Sequence, residues 1–455
     1  MNVSVSRRLA RFTCDLGYDD LPPGIVEKIK VLLLHGIGVG LAGYDTETAQ
    51  VAIDVAKKQG PGRATLMIDG SKVTANMAAF ANGTLLHSRA EEDDFQEGSI
   101  HPGVVLIPAA LAISEIMGAS GKELIVALAA GYEVSCRVSK DFCKLSTPRG
   151  FRSTPNYGVL GTAATAAKLL NLNEDNTVFS LGWGANLASG MIQCAISKTP
   201  EMPIQAGLAS QNGMLAAQLG ESGVLAAEDM LEGEKGFYYA ICGTNAGMEK
   251  ITEGLGKEYK MVDVFQKRHP VGGSQQTPVS AMLDLVKEHN ILPENIESVE
   301  LILPQRYSVY PGTNSLEPGL ISAQYCLAVA CFHRKMTLTT LADLDNKAVR
   351  ELMVKIIVKG DESVSPPASK LSITLKDKRV LVKDMPLTYQ DYCFSFDEER
   401  KYIEESLVPE MSIPEERWPR IAKLIANVES WRSVDELMEL LTCPGRIGKR
   451  IRIPF

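Results

Sequence analysis

Glu91-Glu92-Asp93-Asp94 form an acidic cluster that leads through a Gly-Ser turn to His101-Pro102-Gly103 and then into an apolar, small-residue run ending near Met117. Carboxylates and an imidazole pinned to the start of an apolar helix can sit beside a buried pocket, where desolvation and neighbouring charge tune them for proton transfer. The same residues also suit a solvated acidic loop followed by a core helix, and composition leaves both readings open. No glycine-rich nucleotide loop follows a strand, and no set of His, Cys and carboxylates has metal-ligand spacing. No cofactor and no metal is therefore expected.

The elements that would position this loop are mostly helical. Apolar residues recur at helical spacing over 4–18, 23–43 (opened by Pro22-Pro23), 45–59 and 73–87, with a short strand or turn at 65–70. Helices are expected over 121–140, 155–171, 173–195 and 205–220, where Ala-Ala, Gly-Ala and Ala-Ser pairs allow close helix approach. The pattern changes near residue 262. A helix at 277–289, an alternating strand at 296–303, a helix at 319–332 and short helices at 339–344 and 346–355 follow, then strand-like runs at 355–359, 372–376 and 379–383. Helical spacing resumes over 396–442. The chain thus reads as mainly α, with a large helical domain (1–262) completed by 396–455 and an inserted α+β domain at 263–395. His35, His87, His289 and His333 fall on helical or apolar patterns and read as core or hydrogen-bonded histidines.

A chain of 455 residues, 45% hydrophobic and 22% charged, has the composition of an ordinary globular protein with room for two or three domains. Its net charge of -8 argues against a nucleic-acid or membrane-surface binder, and the short basic stretch 448–452 reads as a solvated or dimer-packed terminus. Nine cysteines without a CxxC pair read as reduced, buried thiols in a cytoplasmic protein. No secretion signal is evident, and the 103–119 run is too short to span a bilayer.

The order Glu91-Glu92-Asp93-Asp94, His101-Pro102, Ser120-Gly121 and Gly131-Tyr132-Glu133 resembles the MmgE/PrpD family, which includes 2-methylcitrate dehydratase, cis-aconitate decarboxylase and iminodisuccinate epimerase. Further matches are Gly150-Phe151 through Gly158, Gly207 to Gly213, Leu231-Glu232-Gly233 and Gly236-Phe237. The resemblance implies a helical domain with a smaller lid, a homodimer, and a pocket between the domains for a di- or tricarboxylate. By position it implies catalytic roles for Glu91, His101 and Lys267. It also implies substrate contacts from Arg152, Asp93, Tyr157, Gln205, Arg268 and Gln276, with Asp93 and Asp94 alternatively capping or orienting their neighbours. Three segments depart from the family pattern. Arg152 and Gln276 occupy positions where the family has histidine, and Met202 and Gln205 replace a lysine and a histidine. His269, Arg149 and Lys198 are further candidates, and Tyr307, Tyr310 and Tyr325 could wall the lid side or pack in its core.

Glutamine and methionine cannot shuttle protons, and arginine stays protonated. The expected site is a polycarboxylate pocket with a reduced acid/base set. The leading expectation is a cofactor-independent lyase, similar to 2-methylcitrate dehydratase, removing water or, second to that, carbon dioxide. The alternative is an epimerase or isomerase of a substituted dicarboxylate, and a third is a non-catalytic carboxylate binder.

Overall fold

The computed structural model describes residues 3–310 and 312–454. Helices Pro23–Gly43, Ala75–His87, Gly103–Met117, Gly121–Ser139, Ser153–Leu169 and Glu201–Glu221 make the centre of a large helical part, nearly every residue of the middle four being buried. Small residues permit this. Gly207 lies on the Ala75–His87 helix so closely that a Cβ there would come within 2.3 Å of the Phe80 carbonyl oxygen. The core runs from Val5 to Val264 and is completed by Ile403, Leu407, Trp418, Ile421, Ile425 and Leu437 from the C-terminal segment. Among the described residues, no helix is long and apolar enough to cross a membrane.

A second core lies over a four-stranded sheet in the order Ile356–Asp361, Ile296–Pro304, Ser369–Leu375, Val380–Met385. Val299, Leu301, Leu303, Leu371 and Ile373 alternate inward beneath helices Gln276–Glu288 and Ala323–His333. Ile296–Pro304 pairs antiparallel with Ser369–Leu375 but parallel with Ile356–Asp361. A parallel pair needs a long crossover, which the helical stretch between the two strands supplies.

Several boundaries differ from expectation. The helix expected at 173–195 ends at Asn186, and the chain turns at Gly190, whose φ of 113° favours glycine. The helix expected at 205–220 begins at Glu201, because Pro203 falls in the first turn, where its missing N–H removes no bond. The 396–442 stretch is broken into pieces, with Pro409 and Pro414 lying between Phe396–Tyr402 and Trp418–Ala426. The basic tail keeps Lys449, Arg450 and Arg452 exposed but is tied down at intervals: Ile451 bridges to Thr46, Lys449 pairs with Asp45 at 2.9 Å, and Ile453 enters the second core.

Among the contacts between the two parts is a small ladder. Asp93–Asp94 pairs antiparallel with Phe265–Gln266, so the acidic loop is stitched to the point where the chain leaves the helical part. That ladder sets the site.

Candidate active site

An extended strand turns successive side chains to opposite sides. In the acidic loop this sends Glu92 and Asp94 into a cavity of about 620 Å³ between the two parts, and Glu91 and Asp93 away from it. The ladder register places Asp93 opposite Gln266, so the next pair outward is Glu92 opposite Lys267. The Lys267 ammonium lies 2.6 Å from Glu92 Oε1 and also donates to the Ala90 carbonyl at 3.0 Å. Ala90 presents that carbonyl from a left-handed turn with φ of 55°. Both charged side chains are buried, so each is tolerable only because of the other.

Two imidazoles flank this pair, with ring centroids 5.4 Å apart. His101 precedes the Gly103–Met117 helix, and its backbone N–H donates to Thr154 Oγ1 at 3.2 Å. Its Nδ1 faces only acceptors: the Asp93 carbonyl at 3.1 Å, Glu92 Oε1 at 3.4 Å and Asp94 Oδ2 at 3.8 Å. Nδ1 therefore carries the proton, and Nε2 is left as a lone pair with no hydrogen-bond partner among the described residues. His87 is the reverse case. Its Nε2 accepts from the Arg152 guanidinium at 2.5 Å, so its proton is on Nδ1, 3.2 Å from Glu92 Oε2 but poorly aligned with it. Arg152 occupies His87 Nε2, while Nδ1 stands beside Glu92 without a formed hydrogen bond.

Burial pushes His101 well below the ordinary imidazole value, and the charge of Lys267 adds to it, so the ring is neutral at physiological pH. Burial also lowers His87, against the pull of Glu92. Burial opposes the charge on Glu92, but the Lys267 ammonium beside it outweighs that and holds the carboxyl well below its usual range. Asp94 goes the other way. Burial raises it, Glu92 and Asp93 add repulsion, and Lys267 only partly compensates, leaving it at about 7. Its Oδ1 is buried without a partner, and its Oδ2 lies against Gly273 so closely that a Cβ there would approach to 2.6 Å. One cavity thus holds a free imidazole nitrogen, a carboxyl that is substantially protonated near neutrality and a locked ion pair.

Arg152 adds an unpaired cation. Its guanidinium donates to the Met202 carbonyl at 3.0 Å, to Gln205 Oε1 at 3.4 Å and to His87, but reaches no carboxylate among the described residues. A buried guanidinium lacking a counter-charge, in the wall of a cavity, is suited to an incoming carboxylate.

The structure places the other expected residues as follows. Glu91 is turned behind the loop, where Oε2 accepts from Arg89 at 2.6 Å, Oε1 accepts from Tyr402, and its carbonyl accepts from His35 at 2.8 Å. Asp93 caps the Gly103–Met117 helix. One oxygen accepts from the Gly103 N–H at 2.9 Å and the other from the Tyr132 hydroxyl at 2.7 Å. Tyr157 is fully buried against Phe237 and Tyr238, donates to Ser146 and does not reach the cavity. Arg268 stacks on Phe394 and Tyr402 and pairs with Glu399 at 2.7 Å, which in turn bonds His35. Gln205 holds Arg152 from behind and does not line the cavity.

Gln276 is also a scaffold residue. Its carbonyl oxygen accepts from the backbone of Arg268 and His269, and its amide donates to the carbonyls of His269 and Val271. These four bonds hold the turn that follows Lys267. Gln276→Leu should lower stability by about 3–4 kcal/mol, since four backbone groups in a partly buried turn lose a partner at roughly 1 kcal/mol each. Urea unfolding measures this. His269 bonds Ser280, and burial takes it down to about 4. Tyr307 and Tyr310 line the cavity, whereas Tyr325 is buried in the second core and donates to Leu341. Lys198 is engaged with Ser315 and Glu317, and Arg149 with the Ala240 carbonyl.

Sequence reasoning passed over Glu92, Asp94 and His87 as cavity groups. The signal for the first two was the period of an extended strand, whose phase is set by pairing with residues far along the chain. His87 gave none, because its partner Arg152 lies on a separate helix start.

Residues 7–248 match the MmgE/PrpD N-terminal domain and residues 269–388 the MmgE/PrpD C-terminal domain. The chain is 24% identical to the cis-aconitate decarboxylase-like protein oryM of Aspergillus oryzae, covering 96% of this chain and 97% of that one. It is 23% identical to cis-aconitate decarboxylase of Aspergillus terreus (97% and 96% covered) and 26% identical to that of Mus musculus (82% and 80% covered). Matched over most of its length by both domains in their order, this chain belongs to the MmgE/PrpD family.

Proposed function

We propose that this protein is a cofactor-independent lyase that removes water from a hydroxylated di- or tricarboxylic acid. One observation carries the reading: a free imidazole nitrogen and a protonated carboxyl share a cavity with an arginine that meets no carboxylate among the described residues. Arg152 binds one carboxylate of the substrate. His101 Nε2 takes the proton from the carbon beside a carboxylate, and the electron pair left on that carbon becomes the new carbon–carbon double bond. The hydroxyl on the neighbouring carbon departs with the proton of Asp94, as water. The Lys267 ammonium, held by Glu92, supplies fixed positive charge where negative charge develops on the substrate carboxylate. Domain limits of 1–262, 263–395 and 396–455 and a homodimer belong to the same proposal.

Decarboxylation is the second reading, favoured by the names of the relatives. It needs only proton delivery: the carbon–carboxylate bond breaks, carbon dioxide leaves, and Asp94 protonates the resulting carbanion. Proton NMR of the purified protein in deuterium oxide with 2-methylcitrate, citrate, cis-aconitate and substituted succinates separates the readings. New olefinic signals from a hydroxy acid are the expected result. Loss of carbon dioxide would favour decarboxylation, and deuterium uptake without elimination would mean an epimerase. No change with any acid would sink the catalytic reading.

A further inference from the structure

Arg306, like Arg152 and the exposed Lys144, is a cation in the wall of this cavity without a carboxylate partner among the described residues. It comes from the other part of the chain, on the short helix Gln305–Ser308 that directly follows the strand Ile296–Pro304. It is more exposed than Arg152 but is held in place. Its guanidinium donates to the Tyr389 hydroxyl at 2.9 Å and lies 5.1 Å over the Tyr307 ring, and the Tyr307 and Tyr389 hydroxyls are themselves hydrogen-bonded. A cation already held by a hydrogen bond and a ring contact needs less further ordering to bind an anion than a free one. Its field reaches the reacting centre, where it lowers the carboxyl of Asp94.

We propose that Arg306 is a specificity residue that reads a second, non-reacting carboxylate of the substrate, while Arg152 reads the first. The proposal rests on the polycarboxylate reading above and narrows it to acids carrying carboxylates at both ends. Arg152 stands in the helical wall and Arg306 in the α+β wall, so a ligand touching both bridges the two parts. A monocarboxylate of the same length satisfies only one of them and leaves the other cation facing solvent. Discrimination therefore comes from a missing charge-assisted pair rather than from a clash.

Titration calorimetry on the full chain with glutarate and with valerate, a diacid and a monoacid of equal chain length, tests this. The wild-type protein should prefer glutarate by about tenfold to a hundredfold, the range for one charge-assisted hydrogen-bonded contact. Arg306→Gln should bring that ratio close to one with valerate affinity and thermal midpoint unchanged, and Arg306→Lys should restore it in part. Arg152→Gln should weaken both acids. A folded Arg306→Gln variant that keeps the wild-type ratio would overturn the role of Arg306 while leaving the polycarboxylate reading in place. A wild-type protein that binds neither glutarate nor propane-1,2,3-tricarboxylate would overturn both.

Discussion

Lys267→Met is expected to cost about 3–5 kcal/mol of folding stability and to abolish turnover. The reason is what it leaves behind. Glu92 is buried, and its charge is sustained chiefly by the ammonium 2.6 Å away, so deleting Lys267 strands a carboxylate in a cavity wall. The double variant Glu92→Gln/Lys267→Met should recover most of the lost stability, because no uncompensated charge remains, but none of the activity. Urea unfolding of the wild type, both single variants and the double variant gives the coupling energy. Additive single effects would mean that the pair is not interacting as its geometry indicates.

Asp94→Asn carries the second large effect. As the acid that delivers a proton, Asp94 should contribute about 10²–10⁴-fold to the rate, and its loss should remove that factor. In the wild type, kcat/KM should fall as pH rises through about 7, as the Asp94 proton is lost. That descending limb should vanish in Asp94→Asn. Stability moves with the same titration. The folded-state value lies above the ordinary 3.8, so the folded protein binds more protons between those two values and loses stability as pH rises across that window. Asp94→Asn should therefore gain stability relative to wild type on going from pH 4 to pH 8, by of order 2–4 kcal/mol. Thermal midpoints of both proteins across that range decide it. A difference that stays flat with pH would mean Asp94 is ionised throughout.

The large features of this molecule are legible because they rest on local pattern. Small-residue helices at 121–139 and 153–169 and the alternating strand at 296–304 each declare their period within a single window of sequence. The site is less legible, for a reason visible in one loop. Glu91-Glu92-Asp93-Asp94 offers four similar acids, and which two face the cavity is a matter of strand phase. That phase is set by pairing with Phe265–Gln266, and no local signal reports it. Gln276 shows the opposite difficulty. Its residue type suits a ligand contact, but the backbone of 268–271 claims every one of its hydrogen-bonding groups. His87 sits at the end of a helix of alanines and reads as core until Arg152, from another helix, is brought against it.

The residues at 152 and 276 also take on a physical role. Arg152 supplies a permanent cation and Gln276 a fixed turn, so proton transfer is concentrated in His101 and Asp94. Their separate environments push one toward the neutral base and the other toward the neutral acid, the division that acid/base catalysis requires.

The measurement that tests this most directly is His101→Ala in the same deuterium-oxide NMR assay, with circular dichroism and thermal unfolding on the same preparation. His101 stands at a loop–helix junction with its Nε2 free, so the fold should persist with its thermal midpoint little changed while elimination and carbon-bound exchange both disappear. A folded variant that still turns over at the wild-type rate would contradict the assignment of His101 as the base. A steep fall in the midpoint would instead mark it as a structural residue.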